Sequence, residues 1–512
     1  MQSGLTLLAG TPFLRWREMS AYGQASEAIA SGPFQPDWNS LKQYRTPKWF
    51  RNAKFGIWAH WSPQCVPEEG DWYARNMYIQ GSAQYDYHVG RYGHPTQFGY
   101  KDICHLWKAE KWDPEGMIQL YKRAGARYFV ALANHHDGFD CWNSTYQPWN
   151  AVNIGPRRDI VGTWAEIARK HGLRFGVSAF SSTNWEWLNV SHGSDKVGPL
   201  KGVPYDGNLT ETAGKGKWWQ GYDPRDLYDA PHPENQPPPL PYVQKFFKRT
   251  KDLIDKYQPD LIFFNDTPLP LGATGLRLAA HYYNSSLQWH GGKLEAVING
   301  KHVPEELRQT VVWDRWPPAE IEPLPWQIDI CIGDWHYKRN IIYLTPAQVL
   351  PYFVDVISKN GNLLLNIPVK GDGTIDDREI IFLGHIADWM DINGEAIFDT
   401  RPWKVFGEGP AHVPPEPSRE RKVEYTAKDI RFTTKGDALY AIALGWPDDG
   451  QLTVKSLARN APYFFGTILS VELLGTRTTL KWARDDGGLT IALPPSKPCD
   501  YAYTIKILCA NT

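Results

Sequence analysis

The apolar residues of the chain follow two alternating patterns between residues 50 and 370. Segments that are apolar almost throughout, as in strands buried on both faces, are separated by segments whose apolar residues recur every three or four positions, as on one face of a helix. The first pattern predicts eight strands, at residues 54–60, 128–134, 173–180, 261–264, 295–299, 310–314, 328–332 and 363–367. The second predicts helices at residues 115–124, 160–171, 242–257 and 346–359.

Strands that alternate with helices favour a parallel sheet, and eight such units predict an α/β fold of the (β/α)8-barrel type. An open doubly wound sheet is the alternative, although no Gly-rich phosphate-binding turn follows any predicted strand. After residue 401 the pattern changes to short strands without helices, at residues 429–434, 438–444, 451–455, 468–474 and 489–493. We therefore expect an N-terminal extension (1–45), a barrel domain (46–400) and a C-terminal antiparallel β-sandwich (401–512) that carries no catalytic cluster.

One segment interrupts the alternation inside the barrel domain. Residues 182–241 are polar, rich in Gly and Pro, and much longer than an ordinary connection between a strand and a helix. Long connections of this kind are usually functional or disordered. Because the segment contains Trp218 and Trp219, we expect it to form the wall of a cleft.

The composition narrows the class of partner. The 512 residues include 55 basic and 56 acidic side chains, a formal net charge of -1, which gives no reason to expect nucleic acid or an anionic membrane as a partner. The chain has 24 Trp, 26 Tyr and 20 Phe residues. Aromatic residues fill large cores, but an indole also stacks on the apolar face of a pyranose. The composition therefore favours a carbohydrate ligand, and it does not indicate the oligomeric state.

The cellular compartment stays open. The six cysteines follow no CxxC or metal-binding spacing and are expected to be packed thiols, with one disulfide as the alternative. No apolar run reaches the roughly 20 residues needed to span a bilayer. The first residues, MQSGLTLLAGTPFLRW, lack the basic start and long apolar core of a secretion signal. A secreted or periplasmic protein is the first expectation and a cytoplasmic protein the alternative.

Histidines follow the first two predicted strands. The first strand ends in His60-Trp61-Ser62, and the second ends in 134-NHHDGF-139, which contains His135 and His136. Barrels of this type build their sites at these strand ends. Adjacent histidines at a strand end point in different directions, and no HxxxH spacing accompanies them, so we expect neither a metal nor another cofactor. A neutral imidazole can donate and accept hydrogen bonds together, which suits a ligand rich in hydroxyl groups.

A second polar strand end lies in 258-QPDLIFFNDTPLPLG-272. Four apolar residues end at Asn265, Asp266 and Thr267, and the chain then enters a Pro-rich loop. This is the pattern of a strand that leads into a site.

Six motifs in order resemble the retaining α-L-fucosidases of glycoside hydrolase family 29. They are KFGIWAHWS (54–62), GDWYARNM (70–77), HHDGF (135–139), GPRRDIVG (155–162), PDLIFFND (259–266) and SKNGNLLLNI (358–367). The resemblance covers about residues 45–370, and a β-sandwich after the barrel also suits that family. It implies an exo-acting glycosidase that releases terminal α-L-fucosyl residues. A glycosidase for a related L-sugar, such as an α-L-glucoside or α-L-galactoside, and a catalytically silent sugar-binding protein are the alternatives.

The resemblance also implies roles for particular residues. The fucose-binding histidines of the family match His60, His135 and His136, and its acidic residue before Trp-Tyr matches Asp71. The family's tyrosine on the third strand falls near Ser178 or Ala179, so that contact is missing. The remaining residues expected to bind the sugar are Trp61, Trp72, Tyr73, Trp316 and Trp335.

The position of the nucleophile carries an amide. The family's nucleophilic aspartate ends a PDLIWFD-like strand, and the residue that matches it without a gap is Asn265. A retaining glycosidase needs an anionic oxygen to attack the anomeric carbon, and an amide cannot supply it. Three explanations are open: an engineered Asp-to-Asn substitution, transfer of the role to Asp266 through a local bulge, or sugar binding without hydrolysis. Because strand residues alternate in direction, we expect Asn265 to face the sugar and Asp266 to face a neighbouring loop.

The second catalytic carboxyl also departs from the family pattern. Many members carry Glu-Arg-Gly shortly before the strand that contains residues 328–332, and the nearest match here is Asp314-Arg315-Trp316. Asp314 ends a predicted strand, and two glutamates, Glu320 and Glu322, lie on the following loop. Several tryptophans crowd this region and would raise the pKa of an acid by desolvation, as a proton donor at neutral pH requires.

Overall fold

The computed structural model describes residues 27–265, 267–411, 423–464 and 466–510. Within them, eight parallel strands close a barrel in sequence order, and the last strand pairs with the first. The strands are β1 (Phe55–Ala59), β2 (Tyr128–Asn134), β3 (Arg174–Ala179), β4 (Leu261–Phe264), β5 (Val297–Gly300), β6 (Val312–Asp314), β7 (Trp326–Cys331) and β8 (Gly361–Asn366). The predicted α/β barrel and each of its eight strands are confirmed.

Helices cover the outside of the barrel and line its approaches. They are α1 (Trp38–Leu41), α2 (Lys48–Ala53), α3 (Tyr73–Asn76), α4 (Ala83–Arg91), α5 (Tyr100–Leu106), α6 (Pro114–Arg123), α7 (Ile160–Lys170), α8 (Asn184–Trp187), α9 (Arg225–Tyr228), α10 (Leu240–Tyr257), α11 (Ala273–Trp289), α12 (Pro346–Ser358) and α13 (Asp377–Asn393). Among the described residues, none of these helices combines the length and the apolar character that crossing a bilayer requires.

The predicted helices α6, α7, α10 and α12 are confirmed, whereas α11 was not predicted from the sequence. Its residues are buried along most of its length, including the polar Asn284 and Ser285. A helix buried on nearly all sides carries no apolar stripe against a polar one, and such a stripe is the periodic signal on which a prediction rests. Segment 27–44 covers α11, where the Phe34 amide donates to Asn284 Oδ1 over 3.0 Å.

Alternation along the strands separates the barrel interior from the layer beneath the helices. On β4, Leu261 and Phe263 pack with Trp58 and Tyr128 inside the barrel, whereas Ile262 and Phe264 belong to the outer core. Successive strand side chains point to opposite faces, so the next inward position after each inward residue lies two residues further along the chain. This rule aims the residues that follow β1 and β4 at the mouth of the barrel.

The C-terminal region forms two antiparallel sheets in the described residues. The strands are β9 (Arg401–Glu408), β10 (Ile430–Lys435), β11 (Ala438–Ala443), β12 (Gln451–Val454), β13 (Thr467–Leu473), β14 (Lys481–Asp485), β15 (Gly488–Ala492) and β16 (Tyr503–Ala510). Their orders are β13-β16-β11-β10-β9 and β12-β15-β14, and one apolar core is shared by both sheets. The predicted sandwich is confirmed, although β9, β14 and β16 were missed; β9 and β14 are largely unburied and show little apolar alternation.

A buried ion cluster and a tryptophan join the sandwich to the barrel. Arg431 on β10 donates to Asp355 on α12 over 2.6 Å, and Lys359 pairs with the other oxygen of the same carboxylate over 2.8 Å. The indole of Trp389 on α13 donates to the carbonyl of Ala502 over 2.9 Å. The two domains therefore share buried polar contacts as well as apolar surface.

Segment 182–241 is ordered by the surface that it covers. It contains α8, α9 and short 3-10 turns. Trp219 is buried beside Lys101 of α5, and the indole of Trp218 donates to Asp102 over 2.8 Å. Both tryptophans thus anchor the segment to α5. Trp187 of α8 lies elsewhere, against the histidines described next.

Candidate active site

Three histidines and one aspartate meet at the carboxyl end of the barrel. His60 follows β1, His135 follows β2, His336 follows β7, and Asp71 lies in the long connection after β1. One ring nitrogen or carboxylate oxygen from each of the four lies within 4.8 Å of the others. The connections after β1, β2 and β7 therefore meet at the carboxyl end of the barrel, where a barrel of this type builds its site.

Buried asparagines hold the chain as it leaves the strands. The amide of His60 donates to Asn366 Oδ1 at the end of β8 over 3.0 Å. At the end of β2, Asn134 Oδ1 accepts from the amides of Phe180 and Ser181 over 2.9 and 3.1 Å. These bonds satisfy backbone donors where strand pairing stops, and so they fix the direction in which the histidines leave the strands.

His60 is the centre of the site. Its side chain is buried, and neither ring nitrogen has a hydrogen-bond partner. Burial and the neighbouring His336 and His136 hold the pKa of His60 well below its ordinary value, so the ring is neutral at physiological pH. A buried polar group without a partner is costly. The neutral imidazole of His60 can donate from one ring nitrogen to a ligand hydroxyl and accept from a second hydroxyl at the other nitrogen.

Asp71 is held by a hydrogen bond to His336 and lies close to His135. His336 Nδ1 lies 2.6 Å from Asp71 Oδ1, and His135 Nε2 lies 3.8 Å from the same oxygen. On its other side, His336 Nε2 lies 2.8 Å from the hydroxyl of Ser62. Since a carboxylate oxygen accepts, the His336 Nδ1 that faces Asp71 is the donor of this hydrogen bond. The side chain of Asp71 keeps partial exposure and can accept from a ligand.

Aromatic side chains form the walls and floor of the site. Trp187 packs against His135 and His136 with ring centroids 5.6 Å away, and its buried indole N–H has no partner. Trp58 and Trp335 pack below and beside His60, at 4.8 and 5.7 Å. The N–H of Trp58 is also buried without a partner. The site therefore combines apolar faces with unpaired donors, as recognition of a sugar requires.

His136 is engaged differently from its neighbour. Its Nδ1 contacts the hydroxyl of Thr183 and the carbonyl of Phe180, the latter over 3.2 Å. Its ring stacks on that of Phe180 at 5.4 Å. His135 and His136 are adjacent in sequence, with centroids only 4.4 Å apart. Each uses its Nδ1 for a contact at the base of the site, but His135 contacts a side-chain amide and His136 contacts a hydroxyl and a carbonyl.

Asn265 lies at a bend directly after β4. It is half-buried. Phe263 faces the barrel interior and Phe264 the outer core, so an extended continuation would aim residue 265 inward. Asp266 lies outside the described residues, and the expectation that it faces a neighbouring loop stays a prediction.

Asp314 lies deep in the barrel. It pairs in register with Gln327, the second residue of β7, far below the end of that strand at Cys331. Burial and the neighbouring carboxyl of Asp329 raise the pKa of Asp314 well above its ordinary value. Asp329 is itself paired with Lys301 over 3.1 Å. Asp314, Asp329 and Lys301 thus form a cluster of ionisable groups beneath the histidines.

The other predicted acids lie on the connection between β6 and β7. Glu320 is exposed. Glu322 is paired with Arg315 over 3.1 Å, and its amide donates to Lys359, just before β8. This contact places Glu322 near the amino ends of the strands, opposite the histidines. Trp316, on the same connection, is half exposed.

The aromatic residues next to the site histidines and Asp71 face several directions. Trp61 is buried in the outer core against Trp107, and its N–H donates to the carbonyl of Lys370 over 2.8 Å. The hydroxyl of Tyr73 lies 2.7 Å from His88 Nδ1 on α4. Trp72 is 46 % exposed and contacts Trp187 edge-on at 6.0 Å, at the rim of the site.

Sequence reasoning did not select three residues of the site: His336, Trp187 and Asp329. His336 lies beyond the end of a predicted strand, the same signal that identified His60, but it belongs to none of the six motifs that resemble the family. Trp187 lies in a segment without periodicity. Asp329 lies inside β7, where a carboxylate among apolar residues was itself a signal of function.

By distance alone, His60, Asp71, His135 and His336 could hold a divalent ion. Three imidazoles and one carboxylate are the ligand types that zinc prefers. The hydrogen bond between His336 and Asp71 uses two of these ligand atoms. The same atoms are also those that a hydroxyl-rich ligand would contact.

Two family profiles match the chain. The profile described as alpha-L-fucosidase matches residues 21–395, and that described as alpha-L-fucosidase C-terminal domain matches residues 422–508. The first covers most of the chain and the whole barrel. The second covers most of the sandwich.

Characterised relatives and solved structures resemble the chain over nearly its full length. Human tissue alpha-L-fucosidase is 29% identical over 506 residues, which cover 93% of this chain and 91% of the human protein. The alpha-fucosidase of Thermotoga maritima in complex with fucose is 28% identical, with a TM-score of 0.69, over 93% of this chain and 100% of that one. The same enzyme with a mechanism-based inhibitor gives a TM-score of 0.71 at 28% identity and the same coverage. With its barrel, its sandwich and the polar site at the barrel mouth, this chain belongs to the alpha-L-fucosidase family of glycoside hydrolases.

Proposed function

We propose that the protein is an exo-acting α-L-fucosidase that binds one terminal α-L-fucosyl residue and cleaves its glycosidic bond with retention of configuration. The observation that carries the proposal is the buried, neutral His60 with two unpartnered ring nitrogens, surrounded by Asp71, His135 and aromatic walls. Each of these groups suits a small ring with several hydroxyl groups and one apolar face. The fucose complex of the Thermotoga maritima relative supports the same substrate.

The pocket offers complementary groups for such a sugar. His60 can donate to one hydroxyl and accept from another, Asp71 accepts, and the N–H of Trp187 donates. Trp335 is half-buried beside His60 and provides an apolar face. A buried hydrogen-bonding site rejects analogues that lack a matching hydroxyl strongly, because its polar groups are then left unpaired. The protein should therefore bind fucose more tightly than fucose analogues in which one of the ring hydroxyl groups is removed.

Retention requires a carboxylate that attacks the anomeric carbon. Alternation along β4 favours position 265 as the residue that faces the sugar, but Asn265 offers only an amide. In the first explanation, activity depends on a carboxylate at position 265, and the present chain is a variant in which Asn265 has replaced the nucleophile. In the other, a shift of the chain at the bend lets Asp266 take the role.

A proton donor needs both a raised pKa and access to the leaving oxygen. Asp314 meets the first requirement, because burial and Asp329 raise its pKa. Exposed Glu320 meets the second requirement if its loop closes over the pocket, whereas Glu322 is tied to Arg315. Asp314 and Glu320 are therefore the stronger candidates, and Glu322, at the amino ends of the strands, is the weakest. Replacing each by the matching amide identifies the donor, since a substrate with a good leaving group rescues the loss of an acid.

The deciding experiment compares hydrolysis of an aryl α-L-fucoside by three proteins: the chain as written, Asn265→Asp and Asp266→Asn. If position 265 is the nucleophile position, Asn265→Asp gains several orders of magnitude in kcat over a nearly inactive parent, with little change in fucose affinity. If Asp266 is the nucleophile, the parent is active and Asp266→Asn abolishes its activity. Proton NMR of the first-formed product distinguishes retention, which gives α-L-fucose first, from inversion.

The same assay tests the alternatives. Aryl α-L-galactoside and α-L-glucoside, used as parallel substrates, would identify a different L-sugar as the preferred one. A protein that binds fucose by calorimetry, yet stays inactive in all three forms, would be a sugar-binding protein and not an enzyme. High turnover that survives loss of Asp266 in the present chain would leave both nucleophile assignments without a mechanism.

A further inference from the structure

A glutamine beneath the site binds one of its histidines from the far side. Gln64 lies in a 3-10 turn (Pro63–Cys65) directly after β1 and is fully buried. Its amide nitrogen lies 3.0 Å from His135 Nδ1 and 2.9 Å from Asp137 Oδ2, and its oxygen accepts from the amide of Ala74 over 3.2 Å. Every polar atom of the side chain therefore has a partner.

The partners define which end of the Gln64 amide is oxygen. A backbone N–H can only donate, so the atom facing Ala74 is the oxygen and the atom facing His135 is the NH2 group. Asp137 agrees with this orientation. Its Oδ2 also accepts from the hydroxyl of Tyr100 over 2.6 Å, and its Oδ1 accepts from the amide of Phe139 over 3.2 Å. The donor of Gln64 is thereby directed at His135 Nδ1.

The state of His135 follows from this donor. Burial and the neighbouring His136 and His336 hold the pKa of His135 well below its ordinary value, so the ring carries a single proton. Nδ1 faces a donor and must accept. The proton then lies on Nε2, which points toward Asp71 Oδ1 at 3.8 Å.

We propose that Gln64 is a positioning residue that holds His135 as the Nε2–H tautomer, so that this histidine donates toward the sugar and cannot serve as a metal ligand. The first part rests on the proposed function, because the sugar is the acceptor placed beside Asp71. The second part rests on the cluster alone.

Metal ligation requires the opposite arrangement. A histidine that binds an ion through Nε2 gives up that proton and donates its Nδ1–H to a carboxylate, carbonyl or water. Gln64 instead places its own NH2 group beside Nδ1 of His135. In a metal-bound His135, the Nδ1–H would therefore face the N–H of Gln64, and the two donors would repel each other. His135, one of the four residues that are close enough to hold an ion, therefore has the wrong surroundings for a ligand. The Gln64 amide thereby removes one of the four possible ligands and should weaken binding of a transition metal in the pocket.

Gln64→Glu reverses the polarity. Its carboxyl can share a proton with Asp137 and accept from Nδ1–H of His135, which moves the proton of His135 away from Nε2. With histidine-selective 15N labelling, and His135 assigned from the signals lost in His135→Gln, we expect Nε2–H in the parent and Nδ1–H in Gln64→Glu. We also expect Zn²⁺ to bind Gln64→Glu about 10- to 100-fold more tightly than the parent, the range by which such outer partners change metal affinity. Calorimetry with zinc alone measures this difference.

Two further variants separate positioning from structural damage. Gln64→Met has a similar length and no donor, and should give a mixture of tautomers with a smaller gain in zinc affinity. Gln147→Glu makes the same chemical change at a buried glutamine whose amide donates to the carbonyls of Gly138 and Asp226, and should move neither readout. If Gln64→Glu does not fold, the tautomer of His135 in the parent and in Gln64→Met still tests the proposal.

Nδ1–H on His135 in the parent would overturn the proposal. An unchanged tautomer in folded Gln64→Glu, or an equal zinc response to Gln147→Glu, would overturn it as well. These measurements need no substrate. If the parent, Asn265→Asp and Asp266→Asn all lack fucosidase activity but His135 has the expected tautomer, the proposed function is refuted and the role of Gln64 stands. If one form is active but His135 carries Nδ1–H, the role of Gln64 is refuted and the proposed function stands.

Discussion

At the scale of single residues, a buried histidine has two different uses in this protein. His88 is buried with both nitrogens satisfied, by the hydroxyl of Tyr73 over 2.7 Å and the carbonyl of Phe98 over 2.8 Å. His60 is equally buried with neither nitrogen satisfied. The first arrangement stabilises the fold, whereas the second holds binding groups ready for a ligand.

Replacing each histidine by phenylalanine should therefore have opposite effects on stability. His60→Phe keeps the ring packing, removes two unpaired polar atoms and leaves no partner behind, so Tm should stay level or rise. Its kcat/KM for an aryl α-L-fucoside, measured with a nucleophile carboxylate in place, should fall at least about tenfold, since one lost hydrogen bond of about 1.4 kcal/mol has that effect.

His88→Phe is the matched control. It leaves the hydroxyl of Tyr73 and the carbonyl of Phe98 without a hydrogen-bond partner. Each unpaired group should lower the free energy of unfolding by about 1–3 kcal/mol, and Tm should fall. Calorimetric scans of the two variants measure the comparison. A large loss of stability in His60→Phe would mean that its nitrogens have partners in solution and that the binding role is wrong.

At the scale of elements, α13 begins with a capping box whose acid is buried. Glu379 accepts from the amide of Asp376 over 2.7 Å. Burial, followed by the charge of Asp376, raises the pKa of Glu379 to about 8. An exposed glutamate in the unfolded chain has a pKa of about 4.3. Between these values the folded protein holds a proton that the unfolded chain has lost.

This difference predicts a pH dependence of stability. The contribution of Glu379 is fully present below pH about 4.3 and is lost as the pH rises through about 8, because the unfolded state binds fewer protons in that window. Glu379→Gln, which keeps the shape and cannot ionise, should remove a decrease on the order of a few kcal/mol between pH 5 and pH 8. Urea unfolding at a series of pH values measures it.

Asp377→Asn provides the control for net charge, because Asp377 is an exposed acid in the same first turn. Its stability profile should follow that of the parent. A parent whose stability does not decline between pH 5 and pH 8 relative to Glu379→Gln would show that Glu379 ionises normally in the folded protein.

At the scale of the whole molecule, the sandwich is joined to the barrel through charges that water does not reach. Asp355 and Arg431 are both buried, and Lys359 shares the same carboxylate. Removing one member of a buried pair leaves an uncompensated charge, which typically costs about 3–5 kcal/mol. The remaining lysine moderates that cost here.

Arg431→Met should therefore lower the free energy of unfolding by about 2–4 kcal/mol. The loss should appear as an earlier or separate transition of the sandwich in guanidinium unfolding. Lys435→Met is the control at the same junction, since Lys435 pairs with Asp399 over 3.9 Å with both side chains largely exposed. That pair should contribute less than about 1 kcal/mol. Equal losses in the two variants would contradict a buried ionic connection between the domains.

Much of the architecture was determined by the sequence alone. The alternation of two apolar spacings predicted all eight barrel strands and the change to a sandwich, because burial of apolar side chains requires the same periodicity wherever these strands and helices form. Histidines at strand ends predicted the location of the site, since parallel strands bring their carboxyl ends to one face. His60 and His135 could be named for that reason, whereas Asp71 was named from the resemblance to the family.

Only the tertiary structure decided what each side chain at that face contacts. Trp61 and Tyr73 flank site residues in the sequence, yet they turn toward the outer core and α4. His336 reaches Asp71 from 265 positions away, and Gln64 reaches His135 across 71. Hydrogen-bond polarity depends on the distance and direction between atoms that the closure of the barrel brings together. No local pattern carries that information, so the tautomers and the unpaired nitrogens of the pocket became visible only in the folded chain.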